Sequence, residues 1–214
     1  MRFTKPLLSG LIIVTAALSG CVSKPDLPLV PVDIKQPAAA YAWDLSGKIL
    51  VKTPDDKVST NLYWLHSPRR DEMRLTSMLG TSLMSMSVTP EETKLTADGD
   101  TYTDDDPQRL LYRLSGWSIP VDKLPLWLTG QFEGATVIKK DAQGRPSELQ
   151  ATGIQPWTIQ VRSWQPDNPV LPRLMLVSRP GMELKVQINR WQALAPAAPV
   201  ANSLPTNDQA NTQS

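Results

Sequence analysis

Residues 43–51 read Trp-Asp-Leu-Ser-Gly-Lys-Ile-Leu-Val, and apolar and polar positions alternate along them. The odd-numbered positions carry apolar side chains or glycine, whereas the even-numbered positions are polar apart from Leu50. Because successive side chains of a strand point to opposite faces, this period of two predicts a strand with one apolar face and one solvent-facing side. Strands of this kind are typical of antiparallel sheets.

The same alternation recurs along the chain, in residues 84–88, 157–161 and 182–188. Short segments rich in Pro, Gly, Asp and Ser separate the apolar stretches, and these residue types favour turns. The turn segments are residues 53–56, 67–70, 89–90, 98–100, 142–144 and 179–181. The sequence therefore predicts a mainly β fold.

One segment, residues 104–130, breaks the alternation and predicts two short helices. Asp104–Asp106 followed by Pro107 supply an N-cap candidate and a proline at the first helical position. Three leucines then follow at helical spacing: Leu110, Leu111 and Leu114. A second helix is predicted over Val121–Leu128, and a glycine ends each helix: Gly116 and Gly130. Helices inserted between strands predict an α+β fold in which a strongly curved sheet or barrel holds them on its concave face. Alternatively, the helices only fill a β core.

The first 40 residues have the composition of an export signal and a linker. Residues 1–20 contain a basic start, a short apolar run and small residues, as in a secretory signal peptide. The run is too short for a transmembrane helix. Leu18-Ser19-Gly20 precedes Cys21, the only cysteine, and looks like a lipobox in which the Cys21 sulfur is acylated. The next residues, Val22 and Ser23, lack the aspartate of an inner-membrane retention signal, so the outer membrane is the expected destination.

The composition divides the chain into four segments. Residues 1–20 are the signal peptide, and residues 21–40, rich in proline, are the lipidated cysteine and a flexible tether. Residues 41–192 are long enough for a single domain with its own core. Residues 193–214, rich in Ala, Pro, Asn, Gln and Thr, are expected to be a disordered tail.

The charged and reactive residues give little support for an enzyme or a nucleic-acid-binding protein. Removal of residues 1–20 leaves 20 basic and 21 acidic residues, so neither nucleic acid nor an anionic surface is favoured. The single histidine, His66, has no second histidine or cysteine with which to form a zinc site. Paired carboxylates could catalyse hydrolysis, but the cluster Asp104–Asp106 is explained by the helix start. No enzyme activity and no cofactor are expected.

Several motifs, taken in order, resemble the LolB family of outer-membrane lipoprotein receptors. They lie at residues 43–49, 62–64, 75–80, 116–120, 124–130 and 171–172. The resemblance spans about residues 42–191. It implies an incomplete antiparallel β-barrel of about eleven strands with helices in its open side. It also implies a monomer that accepts lipid-modified proteins from LolA, a soluble periplasmic carrier, and inserts them into the outer membrane without nucleotide or metal.

The resemblance also implies roles for particular residues. Leu79, with Met78 and Gly80, is expected to form an exposed loop for membrane insertion; the alternative is that Leu79 and Met78 fold back into the core. Apolar side chains are candidates for an acyl-chain groove, although each could belong to a sealed core instead. The groove candidates are Trp43, Trp64, Met84, Met86, Trp117, Trp127, Trp157 and Ile159. The competing functions are a membrane-tethered lipid or glycolipid binder and a structural envelope-assembly lipoprotein.

Overall fold

A computed structural model describes residues 27–198, which form one antiparallel sheet of twelve strands that does not close. The predicted signal peptide, Cys21 and residues 199–214 lie outside the described residues. The strands are β1 (Leu29–Val32), β2 (Ala42–Lys52), β3 (Lys57–Ser67), β4 (Arg70–Thr76), β5 (Ser82–Val88), β6 (Thr93–Ala97), β7 (Asp100–Asp104), β8 (Ala135–Lys140), β9 (Pro146–Ala151), β10 (Thr158–Trp164), β11 (Pro172–Arg179) and β12 (Met182–Pro196). The predicted mainly β, incomplete barrel with short helices is confirmed.

The order of the strands in the sheet is β7-β6-β5-β4-β3-β2-β12-β11-β10-β9-β8, and β1 pairs with the end of β12. The first and last long strands, β2 and β12, therefore lie side by side in the centre. Along β2 the residues at odd positions from Trp43 to Val51 are buried, as their alternation predicted. The strands β7 and β8 form the two free edges of this sheet.

Two helices connect the edge strands, and their ends follow from local sequence. In α1 (Pro107–Ser115) the Asp106 side chain caps the start by accepting hydrogen bonds from two backbone N–H groups. Gly116 adopts a left-handed conformation at the C-cap. The second helix, α2 (Leu124–Leu128), is shorter than predicted, because residues 121–123 form a hydrogen-bonded turn on the Pro120 carbonyl. Within residues 27–198, neither helix has the length and apolar content that crossing a bilayer requires.

The folded domain extends beyond the predicted boundaries at both ends. Residues 29–32, assigned to a flexible tether, form β1, and residues 193–196, assigned to a disordered tail, form the end of β12. The two segments pair with each other, from Leu29 with Pro196 to Val32 with Ala193. Strand β1 is additional to the strand order that runs from β7 to β8, which has the roughly eleven strands that the family resemblance implies. Both assignments were wrong for these residues because each segment gains its order from a partner that is distant in sequence.

A chain that ends at Trp191 is expected to be less stable than one that ends at Ala198. The shorter chain loses Ala193 and Leu194, which are buried, together with the pairing of β1. Burial of a leucine side chain contributes about 1.5–3 kcal/mol, so the free energy of unfolding should fall by about 2 kcal/mol or more. Urea denaturation of the two chains measures this difference. Equal midpoints and slopes would show that the end of β12 does not stabilise the sheet.

Candidate functional site

The segment from α1 to α2, residues 107–130, covers the apolar concave face of the sheet. Leu110, Leu111, Leu124 and Leu128 are buried on the sheet side of the helices. They belong to the same core cluster as the inward-facing residues of the strands. The helices therefore close the open side of the barrel, and they do so almost entirely through apolar contacts.

A small cavity of about 20 Å³ remains between this segment and the sheet. Its wall contains apolar side chains alone: Ile49, Leu62, Trp64, Met73, Leu75, Met84, Leu111, Trp117, Ile119, Val121, Leu124, Leu128 and Val186. This volume is close to that of a single water-sized probe, and apolar cavities of this kind stay dry. The cavity is therefore too small for an alkyl chain in this structure, and this arrangement of the helices is termed the closed state below.

The predicted groove residues divide into two groups. Trp64, Met84 and Trp117 lie on the wall of the cavity. The others are buried in the surrounding core and do not touch the cavity: Trp43, Met86, Trp127, Trp157 and Ile159. Two further wall residues, Ile119 and Val121, were not among the predicted groove residues, because neither lies on a strand with alternating apolar positions. Their apolar side chains, in a segment between two helices that each end at a glycine, were the feature of the sequence that could have indicated their place on the wall.

One polar contact joins the linker between the two helices to the sheet in the described part of the chain. Arg179, at the end of β11, donates a hydrogen bond of 3.2 Å from Nη2 to the backbone oxygen of Ser118. Its guanidinium also lies 4.6 Å from the ring centre of Trp157, in a cation–π contact. Trp157 thus holds Arg179 where it can reach the linker.

At the other end of the segment, α1 is attached to the edge strand β7 by charged groups. The Asp104 carboxylate forms ion pairs with Arg109 and Arg113 of α1. The hydrogen bond from Arg109, followed by that from the Asp106 backbone N–H, holds the pKa of Asp104 well below its usual range. Asp104 therefore stays ionised, and the start of the helical segment is fixed while its linker has a single polar attachment.

A second feature is the loop between β4 and β5, residues 77–81. The Ser77 N–H donates to the Thr81 carbonyl at 2.8 Å, and the Gly80 N–H donates to the Ser77 carbonyl at 3.0 Å. Residues 78–80 therefore form a three-residue hairpin loop between Ser77 and Thr81, and the last of the three requires a positive φ. Gly80 supplies it, with φ of +85°. Leu79 and Met78 at the tip are 96% and 73% exposed, so the backbone of the turn holds two apolar side chains in water.

The single histidine has a structural environment. His66 Nδ1 lies 2.7 Å from Asp71 Oδ1 on the neighbouring strand, and the Trp64 indole N–H donates to the same oxygen at 2.8 Å. The ring also lies beside Trp43, with 5.0 Å between centroids. Asp71 therefore joins two aromatic side chains of β3. Within residues 27–198, no group of three His, Cys, Asp or Glu side chains has an arrangement that could hold a metal ion.

Comparison with known proteins finds a matching family model, named relatives and a solved structure that aligns with most of this chain. The family model described as "Outer membrane lipoprotein LolB" matches residues 41–191. A protein named outer-membrane lipoprotein LolB from Shewanella loihica is 44% identical over 197 residues, 91% of each chain. One of the same name from Shewanella woodyi is 43% identical and covers 97% of this chain and 96% of its own. Among solved structures, a LolA superfamily protein from Nitrosomonas europaea aligns with 74% of this chain and 90% of its own, with a TM-score of 0.48 and 8% identity.

Proposed function

Because this chain belongs to the LolB family of outer-membrane lipoproteins, we propose that it accepts lipid-modified proteins from a LolA-like periplasmic carrier and inserts them into the outer membrane. The observation that carries the proposal is the wholly apolar cavity beneath a helical segment with one polar attachment in its linker. In this proposal the acyl chains of the cargo occupy the space that the helices fill in the closed state. Acylated Cys21 holds the domain at its destination.

The transfer needs neither a covalent step nor a cofactor. Apolar surface costs about 25 cal/mol for each Å² that is exposed to water, so release of acyl chains into water is very unfavourable. Passage between two apolar sites avoids that exposure, and its direction follows from the relative affinities of carrier, receptor and membrane. The cavity wall suits this role because it contains no ionisable group, and its methionines, Met73 and Met84, adapt to irregular apolar ligands.

Acceptance of a chain requires the linker to leave the sheet. The glycines that end α1 and α2, Gly116 and Gly130, both have positive φ values and are suitable places for a change in direction. The apolar contacts of the linker are replaced by contacts with the incoming acyl chain. The hydrogen bond from Arg179 to Ser118 has no such replacement and must break.

Replacement of Arg179 by alanine is therefore expected to favour the open state. Only the hydrogen bond to Ser118 opposes opening, because the cation–π contact joins Arg179 to Trp157 outside the linker. A hydrogen bond of about 1–2 kcal/mol corresponds to opening that is about 5- to 30-fold more frequent when the bond is removed. Amide hydrogen exchange of residues 117–121 measures this change. Arg173→Ala is the matched control, because Arg173 is an exposed residue on the same strand. Equal exchange rates in the two variants would show that Arg179 does not restrain the linker.

A pair of neighbouring substitutions on β5 tests the acceptance site itself. Met84 lies on the cavity wall, whereas Ser85 lies on the outer face of the same strand. Met84→Glu places a carboxylate in the apolar cavity and should lower cargo acceptance at least about 10-fold, because burial of an unpaired charge is strongly unfavourable. Ser85→Glu should leave acceptance unchanged. Both variants are first checked for the far-UV circular dichroism of the original chain.

The measurement is the passage of a fluorescent lipoprotein from the carrier complex to a Cys21→Ala chain at equal concentration, without ATP. The proposal expects nearly all of the lipoprotein to move from the carrier to the parent chain, and likewise to the Ser85→Glu variant. No transfer to the parent chain would overturn it. Uptake of free fatty acid or glycolipid with no uptake of lipoprotein would instead identify a lipid binder. Equal acceptance by the two glutamate variants would place the acyl chains outside the cavity.

A further inference from the structure

Ile154 is an isoleucine in full contact with water. It lies in the loop between β9 and β10, residues 152–157, and its side chain is fully exposed. The base of the loop is closed by a hydrogen bond of 2.9 Å from the Ala151 N–H to the Trp157 carbonyl. Gly153 precedes Ile154 with a φ of +142°, a conformation that favours glycine, and no atom lies within 4 Å of the position of a Cβ. The loop therefore projects from the sheet with an apolar tip.

The strand pairings place this loop at the same end of the sheet as Leu79. The register joins Thr158 to Ser178 and Arg179 to Met182, so the β9–β10 loop and the β11–β12 turn share one end. Lys52 pairs with both Glu183 and Lys57, which adds the β2–β3 turn to that end. Strand β3 then pairs with β4 so that Asn61 meets Thr76, immediately before the loop that carries Leu79.

The loops that carry Leu79 and Ile154 are uncharged, whereas the two turns that lie between them at this end of the sheet contain or adjoin charged residues. The stretches 75–90 and 149–161, which contain Leu79 and Ile154, have no charged residue. The β2–β3 turn contains Asp55 and Asp56, and Arg179 and Glu183 flank the β11–β12 turn. Because transfer of a charge into hydrocarbon is costly, the two uncharged loops are the ones at this end that suit contact with a bilayer.

We infer that residues 152–156 form a second membrane-contact loop, in which Ile154 enters the surface of a lipid bilayer together with Leu79. The two loops lie on opposite sides of the central strands β2 and β12. Contact at both places fixes the tilt of this end of the barrel, whereas a single tip leaves the domain free to rotate about it. The inference rests on the proposed function, since it assigns the end of the molecule from which cargo enters the membrane.

A bilayer fits Ile154 better than a protein partner does. The residues that dominate protein interfaces lie in packed patches with surrounding contacts. Ile154 is instead a lone side chain on a projecting loop, flanked by Gly153 and Gln155. An isolated apolar tip can enter a fluid surface without a complementary pocket, as apolar side chains do at membrane interfaces.

The experiment uses the mature lipidated chain in vesicles of phosphatidylethanolamine and phosphatidylglycerol. Acylation consumes the Cys21 thiol, and the chain has no other cysteine, so one introduced cysteine accepts a single environment-sensitive fluorophore. The labelled positions are Ile154→Cys, Leu79→Cys and Ala142→Cys. Ala142 is the control, because it is exposed in the β8–β9 turn at the opposite end of the sheet. The original chain must take up no label, which verifies that Cys21 is blocked.

The inference expects a blue-shifted emission at positions 154 and 79, with quenching by bromine-labelled lipid chains at least about threefold stronger than at 142. Ile154→Ser without a label should slow cargo insertion about 3- to 10-fold and leave acceptance from the carrier unchanged. A response at 79 without one at 154 overturns the second contact and leaves the proposed function intact. A label at 154 that responds to the carrier but not to lipid also overturns it. No response at either position would show that this end of the sheet does not contact the membrane, and would overturn the inference. The proposed function is tested separately, by the transfer of cargo.

Discussion

Replacement of Gly47 by alanine is expected to destabilise the sheet more than any other single methyl addition on the central strand. A Cβ at this position would lie 2.0 Å from the backbone oxygen of Gln187 and 3.2 Å from the Cα of Ile188. Both neighbours are backbone atoms of β12, the partner strand, beside an irregularity in its pairing between Ile188 and Arg190. Neither side can yield unless β2 and β12 separate. Insertion of a group into a packed interior typically costs about 1–3 kcal/mol, and a loss of about 3 kcal/mol or more is expected here.

Urea denaturation followed by tryptophan fluorescence measures this loss. Ser46→Ala is the matched control, because it changes the adjacent residue on the outer side of the same strand and is expected to shift stability by less than about 0.5 kcal/mol. Gly47→Ser should resemble Gly47→Ala, since both add a Cβ. A Gly47→Ala chain as stable as the original would mean that β12 moves aside without cost. The close approach of the two central strands would then not be essential to the fold.

The strands of the sheet were predictable because burial on one side imposes a period of two on the sequence. This holds for β2, where the odd-numbered residues from Trp43 to Val51 are buried and the even-numbered residues between them are more exposed. The start of α1 was equally readable, because Asp106 and Pro107 meet local backbone requirements that depend on no distant partner. Both predictions concern either interactions between residues that are close in sequence or a pattern that repeats along the sequence.

The ends of the domain were not predictable for the opposite reason. Strand β1 pairs Leu29 with Pro196, and nothing within either proline-rich segment indicates the other. Composition favoured disorder in both, since each segment has too few apolar residues to form a core alone. The order of one segment comes from hydrogen bonds to the other, together with burial of the Leu194 side chain.

The candidate site was predictable as a set of apolar side chains but not as a cavity. Trp64 and Trp157 have the same character in the sequence and are both buried, yet only Trp64 lies on the cavity wall. The difference depends on where the linker between the helices crosses the concave face, which is a tertiary property. The exposed tip at Leu79 follows from the family resemblance, whereas the uncharged residues of the turn by themselves favour a side chain that folds back into the core.

Replacement of Leu79 by glutamate is expected to slow delivery of cargo strongly while its acceptance continues. Leu79 does not contribute to the cavity wall, so the carboxylate should not disturb the site that receives acyl chains. At the membrane surface, however, a charge replaces an apolar side chain that is 96% exposed. Loss of about 2 kcal/mol from burial of the leucine side chain in the membrane should lower the rate of insertion into liposomes about 30-fold. Two assays measure the effect separately: transfer from the carrier to the chain, and transfer from the chain to liposomes.

Two variants separate the charge from the position. Leu79→Met retains an apolar tip and should insert cargo at nearly the original rate, whereas Ala142→Glu adds the same charge at the opposite end of the sheet and should have no effect. Slow insertion by Ala142→Glu would show that net charge, and not the tip, controls delivery. If Leu79→Glu loses acceptance as completely as insertion, then the loop acts on the carrier or on the cavity. A selective loss of insertion would mean that acceptance and delivery use different parts of the domain, the cavity for the first and the loop end for the second.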